Sequence, residues 1–150
     1  MKEKYIKAHM ETALVWAKLS HAKRRKVGSV LAREEHILST GYNGTLAGED
    51  NACETVVPDY DENGNYLGDV LVTHEEVIHA EENCIIKMVR SNETTVGSSL
   101  FITLSPCKKC ARLIVMAEVK EVYYLEEYRD TSGITFLEKR GIPCYQVILE

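Results

Sequence analysis

Two short stretches, His-Ala-Glu at residues 79–81 and Pro-Cys-Lys-Lys-Cys at residues 106–110, carry the main chemical signal of the sequence and decide its expected fold. One imidazole, from His79, and two thiols, from Cys107 and Cys110, provide three protein ligands for a zinc ion. Structural zinc sites use four protein ligands, whereas catalytic sites use three and leave a position for water. Because zinc lowers the pKa of a bound water to roughly 7, this ligand count predicts a hydrolytic site with Zn²⁺ as its cofactor.

Each half of this pattern has an ordinary explanation when it is taken alone. A His two positions before a Glu is common on solvated helices, and Pro-Cys-x-x-Cys also fits a redox dithiol or half of a structural zinc site. Residues 82–105 between the halves have room for one helix, a turn and one strand, which brings the second half back beside the first. The combination predicts that Glu81, which is not a ligand, carries protons at the site.

The spacing of these residues also predicts local structure. Side chains at positions i and i+2 of a helix point to different sides, so His79 and Glu81 share one site only if the helix begins near His79. A capping-box sequence at residues 73–76 favours an earlier start, and we give the chemistry precedence. The two cysteines lie three residues apart on a helix expected to open at Pro106, whose N-terminus favours thiolate over thiol.

The composition is that of a single globular domain covering residues 1–150, with 45% hydrophobic and 27% charged residues. No apolar run approaches the length of a membrane span, and the N-terminal residues lack the apolar core of a signal peptide. Five cysteines, two of them in metal spacing, favour a reducing cytoplasm over a disulfide scaffold. The net charge of −5 argues against broad nucleic-acid binding. We therefore expect neither a nucleic-acid nor a membrane partner.

Hydrophobic periodicity predicts an α/β fold with a mixed sheet of about five strands and helices on both faces. A helix over residues 3–20 and an antiparallel hairpin of strands 27–32 and 37–40 come first. After residue 79 strands alternate with helices, which implies parallel neighbours. The elements expected there are helices at 79–90, 106–117 and 131–139 and strands at 100–104, 122–125 and 144–148.

The polar stretch 45–72 is too long for a bare connector in so compact a domain. We interpret it as a functional or lid-like insertion. A small hairpin pairing residues 65–67 with 71–72 is expected inside it.

Residues 20–26 contain the only dense basic cluster of the sequence, and Gly-Tyr-Asn-Gly follows at residues 41–44. A solvated loop is the ordinary explanation of the cluster. A phosphate site is the alternative, since Arg and Lys make charge-assisted hydrogen bonds with phosphate. Asn-Gly is a turn dipeptide, but Asn43 at the end of a strand also offers a donor and an acceptor to a sugar hydroxyl.

With these motifs in view, the sequence resembles the deoxycytidylate (dCMP) deaminases of the bacterial and phage type, in the cytidine deaminase superfamily. The H-x-E…P-C-x-x-C pattern is the known zinc signature of nucleobase deaminases. The first loop at 20–28, the turn at 41–44 followed by Gly48, and Ser105 before the Pro-Cys pair match further motifs of the family. The likeness covers nearly the whole chain. It implies the three-layer α/β/α deaminase fold and, usually, a homohexamer.

The resemblance implies that dCMP and water give dUMP and ammonia, which supplies thymidylate synthesis, in the cytoplasm or in the host cytoplasm if the protein is phage-encoded. Glu81 would move protons from water to N3 and to the departing amine. Tyr128 would stack on the pyrimidine, although plain packing competes with that role. The implied substrate-binding residues are Asn43 at the deoxyribose, Arg24, Lys26 and Ser20 at the 5′-phosphate, Tyr128 at the base, and Ala80 and Ser105 of the active-site motifs.

Regulation is also implied by the resemblance. The family is typically activated by dCTP and inhibited by dTTP, bound with Mg²⁺ near the 41–44 turn, which points to Tyr42, Gly44 and Glu49. Some relatives hold a second, structural zinc, and Cys53 and His74 fit two of its ligand positions. Ala22 stands at the first-loop position, so the competing explanation for Cys53 is a small buried thiol.

Two other functions stay open from the sequence. A zinc deaminase of cytidine, guanine or tRNA adenosine would carry the same signature, although the basic first loop favours a phosphorylated mononucleotide. A non-catalytic zinc domain that senses dNTPs would keep the ligands but would have no need of Glu81.

Overall fold

The computed structural model describes residues 1–150 and contains four α-helices, seven strands and one short 3₁₀ helix at Lys87–Arg90. The helices are α1 (Glu3–Ala17), α2 (Ala80–Ile86), α3 (Lys108–Met116) and α4 (Ser132–Glu138). The strands are β1 (Gly28–Arg33), β2 (His36–Tyr42), β3 (Glu54–Tyr60), β4 (Tyr66–Thr73), β5 (Ser99–Leu104), β6 (Glu121–Glu126) and β7 (Cys144–Gln146).

A five-stranded mixed sheet in the order β2-β1-β5-β6-β7 forms the centre of the molecule. Strand β1 pairs antiparallel with β2 and β5, whereas β5, β6 and β7 run parallel. The predicted mixed sheet, its first antiparallel hairpin and its later parallel strands are confirmed. Helix α1 ends at Ala17, three residues before the predicted boundary.

Helices cover both faces of this sheet, which gives the three layers expected of an α/β/α fold. Along β5, Leu100 and Ile102 belong to the larger core beneath α2, α3 and α4, while Phe101 between them belongs to the smaller core beneath α1. Successive side chains of a strand point to opposite faces. A central strand covered on both faces is therefore apolar at nearly every position, as the sequence of β5 is. None of the helices has the length and apolar character needed to cross a membrane.

Residue Gly41, in β2, lets α2 lie directly against the sheet. A Cβ at this position would stand 2.4 Å from the carbonyl oxygen of Ala80 and 2.7 Å from the backbone nitrogen of Cys84. Both are backbone atoms of α2 and cannot move independently. The absence of a side chain at Gly41 thus fixes how closely the N-terminus of α2 approaches the sheet.

A Gly41→Ala variant is expected to lose about 2–3 kcal/mol of unfolding free energy, because the added methyl overpacks against helix backbone. Urea unfolding followed by circular dichroism measures this loss. The matched control is Gly44→Ala, where the nearest atom to the added Cβ is 3.9 Å away. Equal stability of the two variants would contradict the close approach.

The polar insertion contains a two-stranded antiparallel sheet of β3 and β4, which pair only with each other. The prediction that 65–67 pairs with 71–72 was wrong, because β4 runs unbroken through both segments and pairs with residues 54–60. The turn closes through the Asp61 carboxylate. Its Oδ1 accepts hydrogen bonds from the backbone N–H groups of Asn63 and Asn65 at 2.9 and 2.8 Å. The Asp-Glu-Asn-Gly sequence thus forms the hairpin turn itself rather than a break before a smaller hairpin.

Candidate active site

Three zinc-ligand side chains converge where α2 and α3 begin. The Nδ1 atom of His79 lies 3.7 Å from Sγ of Cys107 and 3.3 Å from Sγ of Cys110. A tetrahedral zinc ion with ordinary Zn–N and Zn–S bonds separates such ligand atoms by about 3.5 Å. The donor types and their spacing therefore fit a zinc ion. No other group of three His, Cys, Asp or Glu side chains in the chain is placed to hold a metal.

The local backbone explains how residues so close in sequence share one site. His79 and Cys107 are the N-cap residues of their helices and have extended backbone angles, with ψ of 156° and 166°. Each side chain therefore projects from an extended residue directly before the first turn of its helix. The prediction that α2 starts beside His79 is confirmed, and the earlier start favoured by the capping-box sequence is not observed. Helix α3 begins at Lys108 rather than at the predicted Pro106, because Cys107 stays extended to reach the site.

Electrostatics already favours a thiolate at this trio. Hydrogen bonds from the Cys110 thiol and from His79 lower the pKa of Cys107 to about 4. The same coupling raises the pKa of Cys110, since the two thiols share one negative charge. A divalent cation supplies the positive charge that allows both sulfurs to be thiolates.

The Glu81 carboxyl group lies inside the fold beside the trio, and its residue is 3% exposed. Burial raises the pKa of this carboxyl group to about 7. An acid with a pKa near the working pH accepts and returns protons efficiently. The side chain is therefore suited to the proton transfers expected of it from the sequence, without being one of the three ligands.

A cleft of about 650 Å³ opens over these groups, and we call it the active-site cleft. It brings together most of the residues expected to contact substrate. Among its lining residues are the predicted Arg24, Asn43, His79, Ala80, Glu81, Ser105, Cys107 and Tyr128 and the unpredicted Arg25, Glu54, Thr73, Glu127 and Arg129.

Two predicted phosphate residues, Ser20 and Lys26, do not line the active-site cleft. Ser20 is buried, and its hydroxyl donates a hydrogen bond to the Asn43 carbonyl oxygen at 2.8 Å. The Oγ atom of Ser20 also accepts a hydrogen bond from the Ala22 N–H at 3.1 Å. This hydroxyl therefore orders the loop between α1 and β1. Lys26 is exposed on that loop.

The Asn43 side chain holds the end of the same loop while lining the cleft. Its Oδ1 accepts a hydrogen bond from the Val27 N–H at 2.9 Å, and its Nδ2 donates to the Arg25 carbonyl oxygen at 2.8 Å. An amide has a second lone pair and a second N–H. This second lone pair and second N–H of Asn43 are available for hydrogen bonds with a sugar hydroxyl in the cleft.

The aromatic wall of the cleft is Tyr128, which follows the end of β6. Its backbone N–H donates to the buried Ser105 hydroxyl at 2.7 Å, and Ser105 follows the end of the neighbouring parallel strand β5. The carboxyl ends of parallel strands meet at one edge of a sheet, where ligands commonly bind. Ser105 thus fixes where the tyrosine stands relative to the zinc trio.

Three arginines line the cleft, of which only Arg24 was predicted from the sequence to contact the substrate. Arg25 forms an ion pair with Glu126, and the guanidinium of Arg129 lies 5.9 Å from the centroid of the Tyr128 ring. Both lie next to residues that the sequence had singled out. The sequence signal that could have identified Arg25 and Arg129 was their positive charge beside those residues. Together the arginines make this side of the cleft suited to an anion.

The proposed second-zinc residues are not joined by a third donor. Cys53 is buried and packs with Ala22 and Val77. A third zinc donor at this place would require a thiol, and Ala22 has only a methyl group. His74 uses its Nε2 in a hydrogen bond with the Thr55 hydroxyl.

The three predicted effector residues lie at different places. Tyr42 stacks on Trp16 with 6.3 Å between ring centroids, and Gly44 pairs with Ile78 through backbone hydrogen bonds. Glu49 lines a separate cleft of about 350 Å³, which neither Tyr42 nor Gly44 lines.

The comparison with known proteins agrees with the zinc trio. The family model of the cytidine and deoxycytidylate deaminase zinc-binding region matches residues 3–126. The chain belongs to this deaminase family. The dCMP deaminase of cyanophage S-TIM5, solved in complex with dCMP and dUMP, superposes with a TM-score of 0.85 at 39% identity, covering 98% of this chain and 99% of that one. The deaminase fold and the resemblance to dCMP deaminases are confirmed.

Two curated relatives are longer than the chain. It is 30% identical to the ComE operon protein 2 of Bacillus subtilis, with 85% of this chain and 62% of the relative covered. It is 34% identical to the deoxycytidylate deaminase of Schizosaccharomyces pombe, with 93% of this chain and 42% of the relative covered. The chain therefore spans less than two thirds of the length of these two relatives.

Proposed function

We propose that this chain catalyses the hydrolytic deamination of dCMP to dUMP and ammonia. The observation that carries the proposal is the active-site cleft, whose lining combines two of the three zinc-ligand side chains and a buried carboxyl group with three arginines and a tyrosine. A pyrimidine ring fits the aromatic and metal side, and a 5′-phosphate fits the basic side. The cyanophage relative, which was solved with dCMP and dUMP, supports this choice of substrate.

Each step of the reaction has a residue of this chain to perform it. His79, Cys107 and Cys110 would hold a zinc ion, which when bound would supply an activated water molecule for attack on the base. Glu81 takes a proton from that water, gives it to N3, and then returns a proton to the departing amine. Tyr128 holds the ring plane, and Asn43 orients the deoxyribose.

Substrate choice is expected to depend on the phosphate. Zinc-replete protein should convert dCMP with a kcat/KM at least about 100-fold above that for cytidine or deoxycytidine, because the arginine side of the cleft has no partner in a nucleoside. Ammonia release with these substrates and with a tRNA anticodon loop, measured side by side, tests this. If the protein preferred cytidine or the tRNA loop, that molecule and not dCMP would be assigned as its substrate. Inertness toward every cytosine nucleotide would favour a non-catalytic, dNTP-sensing domain.

Regulation and assembly are further parts of the proposal. dCTP bound with Mg²⁺ activates the enzyme and dTTP inhibits it, the chain forms a homohexamer, and the 45–72 insertion is a lid-like element of the single domain. In this role the enzyme supplies dUMP for thymidylate synthesis in the cytoplasm.

The separate β3–β4 sheet inside the insertion supports a role of the insertion that is distinct from that of the core. Turnover of dCMP with and without each triphosphate, together with light scattering, tests these points.

A further inference from the structure

The β3–β4 hairpin is attached to the basic first loop through one carboxylate. Glu54 is the first residue of β3, and its Oε1 accepts hydrogen bonds from the consecutive backbone N–H groups of Lys23 and Arg24, at 2.9 and 3.0 Å. Consecutive N–H groups that point the same way form a small anion-binding concavity. In this protein the carboxylate of the hairpin fills that concavity.

The strand opposite adds a second attachment at the same place. Thr73 is the register partner of Glu54 in the β3–β4 sheet, and its hydroxyl accepts a hydrogen bond from Nη1 of Arg24 at 3.3 Å. The base of the hairpin therefore holds both the backbone and the guanidinium of Arg24. Asn43 holds the other end of the loop by accepting from Val27 N–H and donating to the Arg25 carbonyl oxygen.

This attachment matters because it holds the middle of the loop, between the ends that Ser20 and Asn43 hold. Residues 23–26 are four consecutive cations, all exposed, and like charges repel one another. No other hydrogen-bond acceptor contacts the backbone N–H groups of Lys23 and Arg24. An anchor that holds the loop without filling the cleft presents the arginine side chains in a fixed geometry, and fixed geometry is what phosphate binding by guanidinium requires.

Resting on the proposed function, we propose that Glu54 is a positioning residue for recognition of the nucleotide 5′-phosphate. Its carboxylate acts as a hydrogen-bond acceptor that fixes the first loop. The hairpin insertion thereby takes part in the choice of nucleotide over nucleoside. The negative charge of Glu54 alone would weaken phosphate binding, since a carboxylate repels a phosphate.

Three variants separate these roles: Glu54→Ala removes the acceptor, Glu54→Gln keeps an acceptor without the charge, and Glu62→Ala is the control. Glu62 is exposed in the turn of the same hairpin. Glu54→Ala should raise the KM for dCMP and the Kd for dUMP by roughly tenfold and leave kcat and the kcat/KM for deoxycytidine near wild type. Glu54→Gln should stay within about threefold of wild type, because an amide oxygen accepts the same two hydrogen bonds. Glu62→Ala should match wild type.

Amide hydrogen exchange provides a readout that does not need turnover. The N–H groups of Lys23 and Arg24 should exchange faster in Glu54→Ala than in Glu54→Gln or Glu62→Ala, because only the first loses their acceptor. Calorimetric binding of dUMP and deoxyuridine to the zinc-replete proteins is likewise independent of catalysis. If wild type bound dUMP but did not convert dCMP, the proposed reaction would fail while these two measurements still decided the role of Glu54.

The role of Glu54 is overturned by any of three results. One is an unchanged or lower Kd for dUMP in Glu54→Ala, and another is an equal loss of dUMP and deoxyuridine binding. The third is a Glu54→Gln variant as impaired as Glu54→Ala, which would leave the acceptor explanation without support.

Discussion

A Glu81→Gln variant is expected to keep its zinc and to convert dCMP about 10⁴-fold more slowly than wild type. Gln has nearly the same shape as Glu and leaves the three donors in place, but an amide neither accepts nor returns a proton. The side chain is buried beside the trio, so bulk water cannot easily replace its proton transfers. Elemental analysis for zinc and a coupled ammonia assay give the two halves of the result.

The matched control for this variant is Glu82→Gln. Glu82 is the next residue of α2, has the same side chain, and does not line the active-site cleft. It should retain turnover within a few fold of wild type. Full activity of Glu81→Gln would remove Glu81 from the mechanism, and loss of its zinc would give the carboxylate a role in metal binding instead.

A Cys110→Ala variant should lose both the zinc and the activity, because two remaining donors hold a zinc ion far less tightly than three. We expect zinc occupancy below about 0.1 per chain and, because bound metal stabilises the folded state, a Tm several degrees below that of the zinc-replete wild type. Metal content and thermal unfolding measure the two effects. A chelator should produce the same changes in wild type, and added zinc should reverse them.

The control for this variant is Cys144→Ala, which removes a half-buried thiol that belongs to no metal cluster. It should bind zinc as wild type does. Zinc retained in Cys110→Ala at full occupancy, or lost equally in Cys144→Ala, would contradict the assignment of the ligands.

Sequence signals were sufficient to predict that three side chains able to bind zinc come together, and to predict the central sheet. His79, Cys107 and Cys110 could be predicted because the number and types of donors restrict a metal site more than the rest of the chain does. Strand β5 could be predicted because a strand buried on both faces has no polar alternation. The constraint on β5 acts within six consecutive residues, whereas the metal donors are predicted by two short motifs taken together across residues 82–105.

The parts that sequence reasoning missed depend on contacts between distant segments. The β3 strand contains Pro58 and two acidic residues, which suggested an irregular loop rather than an edge strand, where proline is tolerated. Glu54 had no local signal at all, since its partners lie on the first loop, some 30 positions earlier. Ser20 was expected at the phosphate from the resemblance, and in the structure its hydroxyl donates to the Asn43 carbonyl oxygen and accepts from the Ala22 N–H.

The central claim is a zinc ion with three protein ligands and one open position beside Glu81. X-ray absorption at the zinc edge of the purified wild-type protein tests it most directly, since the technique counts sulfur separately from nitrogen and oxygen. We expect two sulfur neighbours at about 2.3 Å and two lighter neighbours at about 2.0 Å, one from His79 and one from solvent. Three or four sulfur neighbours, or no zinc at all, would contradict the account.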